Sequence, residues 1–547
     1  MPHTISDPGH PAWVAFLTFL QRAAAAQQNG EAEAQAIWLE AAALLQPVEH
    51  DTLANITGAL LEQNRHDDAI AFAAIIAQLR PDDAAASFRL GYALQLAKRH
   101  GDALVPYRHA LTLDQDFPQA RTNLAGALAL TGGDLAEQVT LLESALAADP
   151  LDSNAWINLT QASRFAMNLP RALEAGARAV ELAPHSPLAL NNYALALKEA
   201  QRWDDAVHFA QAACELAPGD PAMRSNLSLL HLVHGDYAQG WPAHEARWQG
   251  SKELDGNRPT MPAPQWQGEP LAGKTLLVWG EQGMGDLLQC CRFIPLLAAH
   301  VHAQDGRIVW NSFPQMGALL VRSLGSHADG YSAGGGVETL PAFDYEIPLM
   351  SVPLVLGTLG DTLSRSVPYL QADPAASATW RERLAGEKRL KVGLAWTGSL
   401  NHQRNPFRAV GWQRYASAFA GIDGVAFYSL QHGAGADVAA AQAAGMPMAD
   451  YTGELKSFDD TAAFVSALDL VITVCTSVAH LSGAIGHRTW VLLDVNPHWT
   501  WLLERSDNPW YPTATLYRQQ QFGDWDAVLE EVARNLGTLV GQRGERP

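Results

Sequence analysis

The stretch KTLLVWGEQGMGDLL, residues 274–288, decides how the second half of this chain folds. A short apolar run ends at Trp279, glycines follow, and Asp286 then opens an apolar helical pattern. This order predicts a strand, a tight turn and a helix. Glycine lets the backbone approach a ligand closely, and a helix start offers unpaired N–H groups. We therefore expect Asp286 at the mouth of a cleft with Gly283 and Gly285 beside a ligand, although such turns also occur without one.

Strands and helices alternate from Lys274 onward, which indicates α/β structure with parallel sheets. A helix is expected after Pro314, and a polar helical segment near 375–387 separates two strand series. The further strand candidates are RIVW (307–310), DYEIP (344–348), LKVGLAW (390–396), VAFYSL (425–430), DLVITV (469–474) and TWVLLD (489–494). Two Rossmann-like domains in tandem, 272–375 and 388–542, would form a cleft at the carboxyl ends of both sheets. The alternative is one continuous sheet.

The first half of the chain repeats with a 34-residue period, which is marked by Pro47, Pro81, Pro150, Pro184 and Pro218, with one inserted residue between 81 and 150. Small residues keep the same phase, as Ala172 does with Ala206 and Ala179 with Ala213. The pattern resembles the tetratricopeptide repeat, an α superhelix of paired helices that cross at small residues. We predict a repeat array over 14–248 that ends in one amphipathic helix at 235–248, and a connector at 249–271.

Asparagines occupy the same place in the first helix of several repeats, namely Asn55, Asn123, Asn158, Asn192 and Asn226. An amide side chain donates and accepts at once, so a ladder of amides on a concave face could hold an extended polypeptide. The alternative is that each asparagine satisfies a neighbouring helix end or faces water. The spacing resembles the superhelix of the O-GlcNAc transferases, which implies acceptor binding by the last four. Arg89 interrupts the ladder.

Composition excludes several function classes. A net charge of −20 argues against a general nucleic-acid surface and against docking on anionic membrane. The N-terminus lacks a signal-peptide pattern and no apolar run is long enough to span a bilayer, so we expect a cytoplasmic protein without a membrane span. The four cysteines lack metal-ligand spacing and no carboxylate pair is spaced for a metal, so we expect neither a metal nor a cofactor.

A second candidate segment, CTSVAHLSGAIG (475–486), follows the predicted strand 469–474. Thr476 and Ser477 open a helix whose backbone N–H groups and positive end suit a diphosphate, and His480 follows about one turn later. The alternative for these hydroxyls is an ordinary N-cap, with His480 packed under the helix.

A third segment, TGSLNHQRNPFRAVGW (397–412), concentrates positive charge in an acidic chain. His402, Arg404 and Arg408 lie on this predicted loop beside the same cleft, where cations could neutralise phosphate charge. A solvated loop is the alternative. Gln431 ends a neighbouring predicted strand and joins the donor-binding candidates by position alone.

Four motifs together resemble the bacterial tetratricopeptide proteins with a heptosyltransferase-like domain, glycosyltransferase family nine. These motifs are GEQGMGDLLQCCRFIPLL (280–297), GLAWTGS (393–399), DLVITVCTSVAHLSGAIG (469–486) and WTWLLERSDNPWYP (499–512). The resemblance implies a glycosyltransferase B arrangement, with 272–375 on the acceptor side and 388–542 binding the donor. It also implies that Asp286 is the general base. The helix at 476–480 would hold the donor. Cys475 replaces the acid of the family motif, and Asn405 and Pro406 replace an acid and an arginine.

The sequence thus predicts a metal-independent glycosyltransferase that moves a sugar from a nucleotide-sugar donor to a Ser or Thr of an acceptor protein held by the repeats. Asp286 would take the acceptor proton, and the helix at Thr476 with Arg404 or Arg408 would stabilise the departing phosphate. The resemblance extends to proteins linked to flagellin glycosylation, which makes flagellin a candidate acceptor. The alternatives are a lipopolysaccharide or glycan glycosyltransferase and a non-catalytic repeat scaffold, which the replacement at Cys475 would favour.

Overall fold

The computed structural model describes residues 11–44, 57–254, 257–281, 283–357, 367–400 and 402–544. The chain forms two compact units, Met1–Ala196 and Leu197–Pro547. Asn55 of the predicted ladder lies outside the described residues. No helix within those ranges has the length and apolar character needed to cross a membrane.

Paired helices build the first unit, and the last of them runs three residues into the second unit. Their bounds are α1 Pro11–Gln28, α2 Ala32–Leu44, α3 57–62, α4 His66–Leu79, α5 Ala84–Leu96, α6 His100–Leu113, α7 Pro118–Thr131, α8 Leu135–Ala148, α9 Ser153–Phe165, α10 Leu169–Leu182 and α11 Pro187–Glu199. Small residues let the helices approach: a Cβ on Gly91 would lie 2.6 Å from the Tyr107 ring, and Ala103 and Ala110 are fully buried. These features confirm the predicted helical repeat of tetratricopeptide type.

The turns between paired helices keep the repeat phase through residues with left-handed backbone. These residues are Asn64, Lys98, Gly132 and Met167, and their positive φ angles lie between 57° and 70°. The step from Gly132 to Met167 contains the inserted residue. At Lys98 the N-cap of the next helix follows directly, whereas after Gly132 the N-cap is Asp134. The insertion therefore lies in this turn and leaves the helices in register.

The last helices of the predicted array belong to the second unit: α12 Trp203–Leu216, α13 Pro221–Val233, α14 Tyr237–His244 and α15 Arg247–Gly250. The single amphipathic helix predicted over 235–248 is wrong, because the chain forms α14 and α15 with a break between them. The amide of Ala246 bonds to the carbonyl of Ala243, three residues back, and this tighter turn interrupts the α-helical pattern.

Two separate parallel sheets follow, rather than one continuous sheet. The first has the order β3-β2-β1-β4, with β1 Thr275–Trp279, β2 Arg307–Ser312, β3 Gly330–Ala333 and β4 Tyr345–Pro348. The second has the order β10-β9-β8-β5-β6-β7, with β5 Leu390–Ala395, β6 Val425–Ser429, β7 Met448–Asp450, β8 Leu470–Val474, β9 Thr489–Leu493 and β10 Ala514–Arg518. All pairings are parallel, which confirms the α/β prediction.

Helices connect these strands: α16 Met284–Cys290, α17 Ile294–His302, α18 Leu319–Leu324, α19 Val352–Val355, α20 Pro374–Arg383, α21 Asn405–Arg408, α22 Trp412–Phe419, α23 Gly435–Ala443, α24 Phe458–Val465, α25 Ser477–Ala484 and α26 Asp526–Gly544. The helix expected after Pro314 is a 3₁₀ turn followed by α18, because Gly317 takes a positive φ of 58° between them. The polar segment near 375–387 is helical as α20.

Aromatic packing joins α13 and α14 to the chain after β9. Trp241 packs edge to face on Trp499 with ring centroids 5.2 Å apart, and the indole N–H of Trp510 donates to the hydroxyl of Tyr237 at 3.0 Å. Leu232 and Val233 lie in the same core. The end of the helical segment is therefore part of the core that supports both sheets.

Candidate functional site

The starts of α16 and α25 meet at the carboxyl edges of the two sheets. Gly283 is the N-cap of α16 with φ 97°, and Asp286 lies in the first turn of that helix. A Cβ on Gly285 would lie 2.9 Å from the ring of His480 on α25, so only glycine permits this approach without a shift of the ring. The structure thus brings together Gly283, Gly285, Asp286 and His480 across a cleft.

Asp286 has an unusual electrostatic environment. Burial, with a further contribution from the charge of Glu281, raises the pKa of Asp286 to about 7, while Arg247 and Arg408 act in the opposite direction. A third of the side-chain surface stays exposed. A carboxyl group with this pKa exchanges its proton near neutral pH, which is the property of a general base or acid.

Glu281 is held by a buried hydrogen-bond network that no local sequence pattern predicts. Arg247 donates to both carboxylate oxygens of Glu281 at 2.8 and 2.7 Å. It also donates to Glu245 at 2.8 Å and to Ser351 at 2.9 Å, and the amide of Met350 donates to Glu281 at 3.0 Å. The network fixes the negative charge that contributes to the raised pKa of Asp286.

Two neutral histidines complete the cleft. Nε2 of His498 lies 3.8 Å from Oδ1 of Asp286, and burial lowers the pKa of His498 well below its usual value. Burial, with Arg292 and Arg408, lowers the pKa of His480 to about 3. Nδ1 of His480 lies 3.0 Å from the Tyr511 hydroxyl. His498 was not among the predicted site residues, although it directly precedes the motif 499–512.

The start of α25 combines an N-cap with an aromatic contact. The hydroxyl of Thr476 accepts from the amide of Val478 at 3.1 Å, as in the alternative interpretation, and Ser477 is half-buried. The sulfur of Cys475 accepts from the indole N–H of Trp501 at 3.1 Å, and burial raises the pKa of this thiol. Cys475 is therefore a neutral hydrogen-bond partner rather than a charged group.

Arg404 was expected to neutralise phosphate charge, but it is paired within the protein. Its guanidinium donates to Glu199 at 2.6 Å and to Asp494 at 2.7 Å. The two carboxylates are 1% and 5% exposed, so they need a positive partner in the protein. This pairing fixes the loop 397–408 and leaves Arg404 without a spare charge for a ligand.

Arg408 is the other cation of the loop, and its pairing is different. No Asp or Glu of the described chain lies within ion-pair distance of its guanidinium, and its Nε donates to Oδ1 of Asn405 at 3.5 Å. Its charge nevertheless acts on Asp286 and His480. Burial and Arg408 also lower the pKa of His402 to about 4. Of the two arginines of the loop, Arg408 is therefore the one without a carboxylate partner among the described residues.

Gln431 and Asn405 order the backbone of the same loop. Oε1 of Gln431 accepts from the amides of Trp396 and Thr397 at 3.2 and 3.1 Å. Oδ1 of Asn405 accepts from the amide of Gly398 at 3.0 Å. Both side chains hold the turn after β5, so the structure gives Gln431 a positioning contact.

The asparagines of the repeats differ in exposure. Asn123 and Asn158 are half-buried in the first unit. Asn192 is 7% exposed and its Nδ2 donates to the carbonyl of Ile157 at 3.3 Å, as the neighbouring-helix alternative states. Asn226 lies on α13 in the second unit. The part of the chain that the structure describes holds no group of three or more His, Cys, Asp or Glu side chains arranged for a metal ion.

Comparisons with known proteins gave one curated relative and several solved structures, while no family model matches. Protein FlbA of Caulobacter vibrioides is 27% identical over 478 residues, which covers 82% of this chain and 77% of FlbA. Among solved structures, PilF of Pseudomonas aeruginosa is 18% identical (37% of this chain, 94% of PilF, TM-score 0.32), and YrrB, described as a TPR protein with an unusual peptide-binding site, is 19% identical (32% and 92%, TM-score 0.26). The match to FlbA is longer than either unit, so it includes both helical and α/β parts.

Proposed function

We propose that this protein is a glycosyltransferase that moves a sugar from a nucleotide-sugar donor to a Ser or Thr hydroxyl of an acceptor protein. The observation that carries the proposal is the carboxyl group of Asp286. It lies at a helix start in a cleft, its pKa is raised to about 7, and neutral His498 is beside it. Such a group takes up a hydroxyl proton near neutral pH.

The strand order of the second sheet supports a nucleotide donor. The order β10-β9-β8-β5-β6-β7 is that of a doubly wound, Rossmann-like sheet, whose ligands bind beyond the carboxyl ends at the point where the order reverses. That point lies between β5 and β8. The loop 397–408 follows β5, and the start of α25 follows β8. Together with the parallel order of the first sheet, this supports the proposed glycosyltransferase B arrangement.

In the proposed reaction, Asp286 acts on the acceptor hydroxyl, and Arg408 with the start of α25 acts on the leaving diphosphate. The acceptor oxygen forms a bond to the anomeric carbon while its proton passes to Asp286, and the bond from that carbon to the donor phosphate breaks. The leaving nucleoside diphosphate takes the electron pair. Arg408 and the backbone N–H groups at Thr476 and Ser477 would stabilise its charge, and no metal is required. Arg404 would position the loop through Glu199 and Asp494.

The acceptor in this proposal is a protein segment bound along the helical repeats. Binding by the repeats would raise the local concentration of its hydroxyl groups at the cleft. Asn123 and Asn158 are the side chains of the first unit proposed to hold its backbone, since Asn192 already donates to the carbonyl of Ile157. A cytoplasmic bacterial acceptor such as flagellin is the first to test.

A non-catalytic repeat scaffold is the second candidate, and a specific observation favours it. Arg404 is already neutralised by two carboxylates, and Cys475 supplies no charge beside the start of α25. Arg408 is then the one loop arginine left for a diphosphate, which is less positive charge than the sequence predicted.

Turnover of a panel of nucleotide sugars, with and without candidate acceptor proteins, separates the two candidates. Asp286→Asn is the test variant, since it keeps the side-chain shape and removes the base. Asp305→Asn is the matched control, because Asp305 is exposed and its φ of 58° is one that asparagine tolerates. Transfer that Asp286→Asn abolishes and the control keeps supports the enzyme. The absence of turnover and of nucleotide binding in the natural protein supports the scaffold.

A further inference from the structure

A cavity of about 260 Å³ opens at the carboxyl edge of the first sheet, and no step of the proposed reaction uses it. It begins where β1 ends at Trp279 and β2 ends at Ser312. Its apolar walls are Trp248, Met261, Trp279, Phe313, Val337 and Leu340. Small-molecule sites commonly enclose about 300–1,000 Å³, so this cavity suits a single ring or side chain.

The cavity adjoins the turn that carries Asp286. Gly280 lines it, and a Cβ on Gly280 would lie 3.3 Å from the Leu287 side chain and 3.4 Å from the Phe313 ring. Leu287 directly follows Asp286 on α16. The cavity wall at Gly280 therefore packs against α16 through the side chain of Leu287.

The polar groups of the cavity indicate a neutral occupant. Among the described lining residues the charged one is Glu281, and Arg247 binds both of its carboxylate oxygens. Nδ2 of Asn311 donates to Ser332 and to the carbonyl of Gly334. Nε1 of Trp248 is buried and finds no hydrogen-bond acceptor in the described part of the chain. Oγ of Ser312, another lining residue, is likewise buried without a partner among the described residues, so the cavity combines apolar surface with two unpartnered polar atoms.

We propose that this cavity binds the side chain of an aromatic or large aliphatic residue close to the modified hydroxyl in the acceptor polypeptide. A backbone carbonyl of that polypeptide accepts from the indole N–H of Trp248. A hexose fits the volume, but its hydroxyls need several partners, and the described lining offers two buried polar side-chain atoms without a partner, Nε1 of Trp248 and Oγ of Ser312. The inference rests on the proposed function for the identity of the polypeptide as acceptor. The binding of an apolar side chain itself does not depend on transfer.

The probe is N-acetyl-L-phenylalanine amide, which carries the ring and two amide carbonyls. Its dissociation constant for the full-length protein is measured by titration calorimetry or saturation-transfer NMR, beside N-acetyl-L-alanine amide and glucose. We expect the phenylalanine amide to bind about tenfold tighter than the alanine amide, because it buries a ring. Equal affinities for the two amides, or tighter binding of glucose, overturn the proposal.

Variants locate that binding in the cavity. Met261→Trp and Leu340→Trp each fill it from a different, half-buried position, so either folded variant suffices. Both should abolish binding of the phenylalanine amide, whereas Leu296→Trp on α17, 42% exposed and outside the lining, should not. Trp248→Phe keeps a ring and removes the N–H, so about a fivefold loss is expected for one hydrogen bond. Unchanged binding in the filled variants places the amide elsewhere and overturns the proposal.

The binding measurement uses neither donor nor turnover, so the two proposals fail separately. If the protein binds the phenylalanine amide in the cavity but transfers no sugar, the proposed peptide site stands and the proposed enzyme activity is contradicted. If the protein transfers sugar but does not bind the amide, the proposed enzyme activity stands and the proposed peptide site is contradicted.

Discussion

Two charged clusters of the second unit differ in how completely their charges are paired. In the Arg404 cluster, the guanidinium lies 2.6 Å from Glu199 and 2.7 Å from Asp494, and Asn496 donates to Glu199 at 3.3 Å. In the Asp286 cluster, the carboxylate has neutral His498 at 3.8 Å and the electrostatic effect of Arg408. Complete pairing holds a loop in place, whereas incomplete pairing leaves a group that titrates near neutral pH.

The largest expected effect tests whether the incompletely paired Asp286 cluster is catalytic. Asp286→Asn should lower the transfer rate by about 10²–10⁴-fold, since that is the usual contribution of a general base. The rate with saturating donor and acceptor measures it, and Asp305→Asn should keep the natural rate. Full activity in Asp286→Asn would show that the base is another group.

The next effect tests the completely paired cluster. Arg404→Met removes the guanidinium that donates to the buried carboxylates of Glu199 and Asp494, so we expect a loss of about 3–5 kcal/mol in the free energy of unfolding. Arg408→Met is the matched control, and it should change stability by less than about 1 kcal/mol because Arg408 has no close ion pair in the described chain. Urea denaturation measures both, and equal losses would contradict the comparison.

The pH dependence of Arg404→Met adds a second check. Burial already raises the pKa of Asp494 although Arg404 opposes the shift, so removal of Arg404 raises that pKa further. The native variant then holds protons that the unfolded chain has lost. Its stability deficit should therefore grow as the pH rises above about 4 and shrink in acid.

A smaller effect concerns stability at the Asp286 cluster. The native pKa of Asp286 is about 7, against about 3.9 in the unfolded chain, so stability falls as the pH rises between these values. Asp286→Asn removes this cost and should gain roughly 1–2 kcal/mol at pH 8, after allowance for screening at the exposed third of the side chain. Urea denaturation should show the gain at pH 8 and almost none at pH 4. The same gain at both pH values would mean that the pKa of Asp286 is not raised in the native protein.

The two clusters also show what the sequence can predict. The helical repeat follows from a local 34-residue period, and the six further strand candidates follow from apolar runs in the sequence. The strands β3, β7 and β10 were missed because GYSA, MAD and ATLYR carry too short an apolar pattern. Arg404 and Glu199 are 205 residues apart, and no local signal pairs them. Tertiary contacts therefore decided which of two similar arginines is free of a carboxylate partner.

The smallest effect tests whether Cys475 behaves as part of the titrating cluster or as a neutral support. Its sulfur accepts from Trp501, whose ring stacks on His480 with centroids 5.3 Å apart. Cys475→Ala leaves the indole N–H without its acceptor and should cost about 1 kcal/mol of unfolding free energy. Cys475→Ser keeps an acceptor and should cost less, and neither variant should move the pH midpoint of transfer, because no charge changes. A loss of unfolding free energy near that of Arg404→Met, or a shifted pH midpoint of transfer, would instead show that the thiol affects the electrostatics of the cleft.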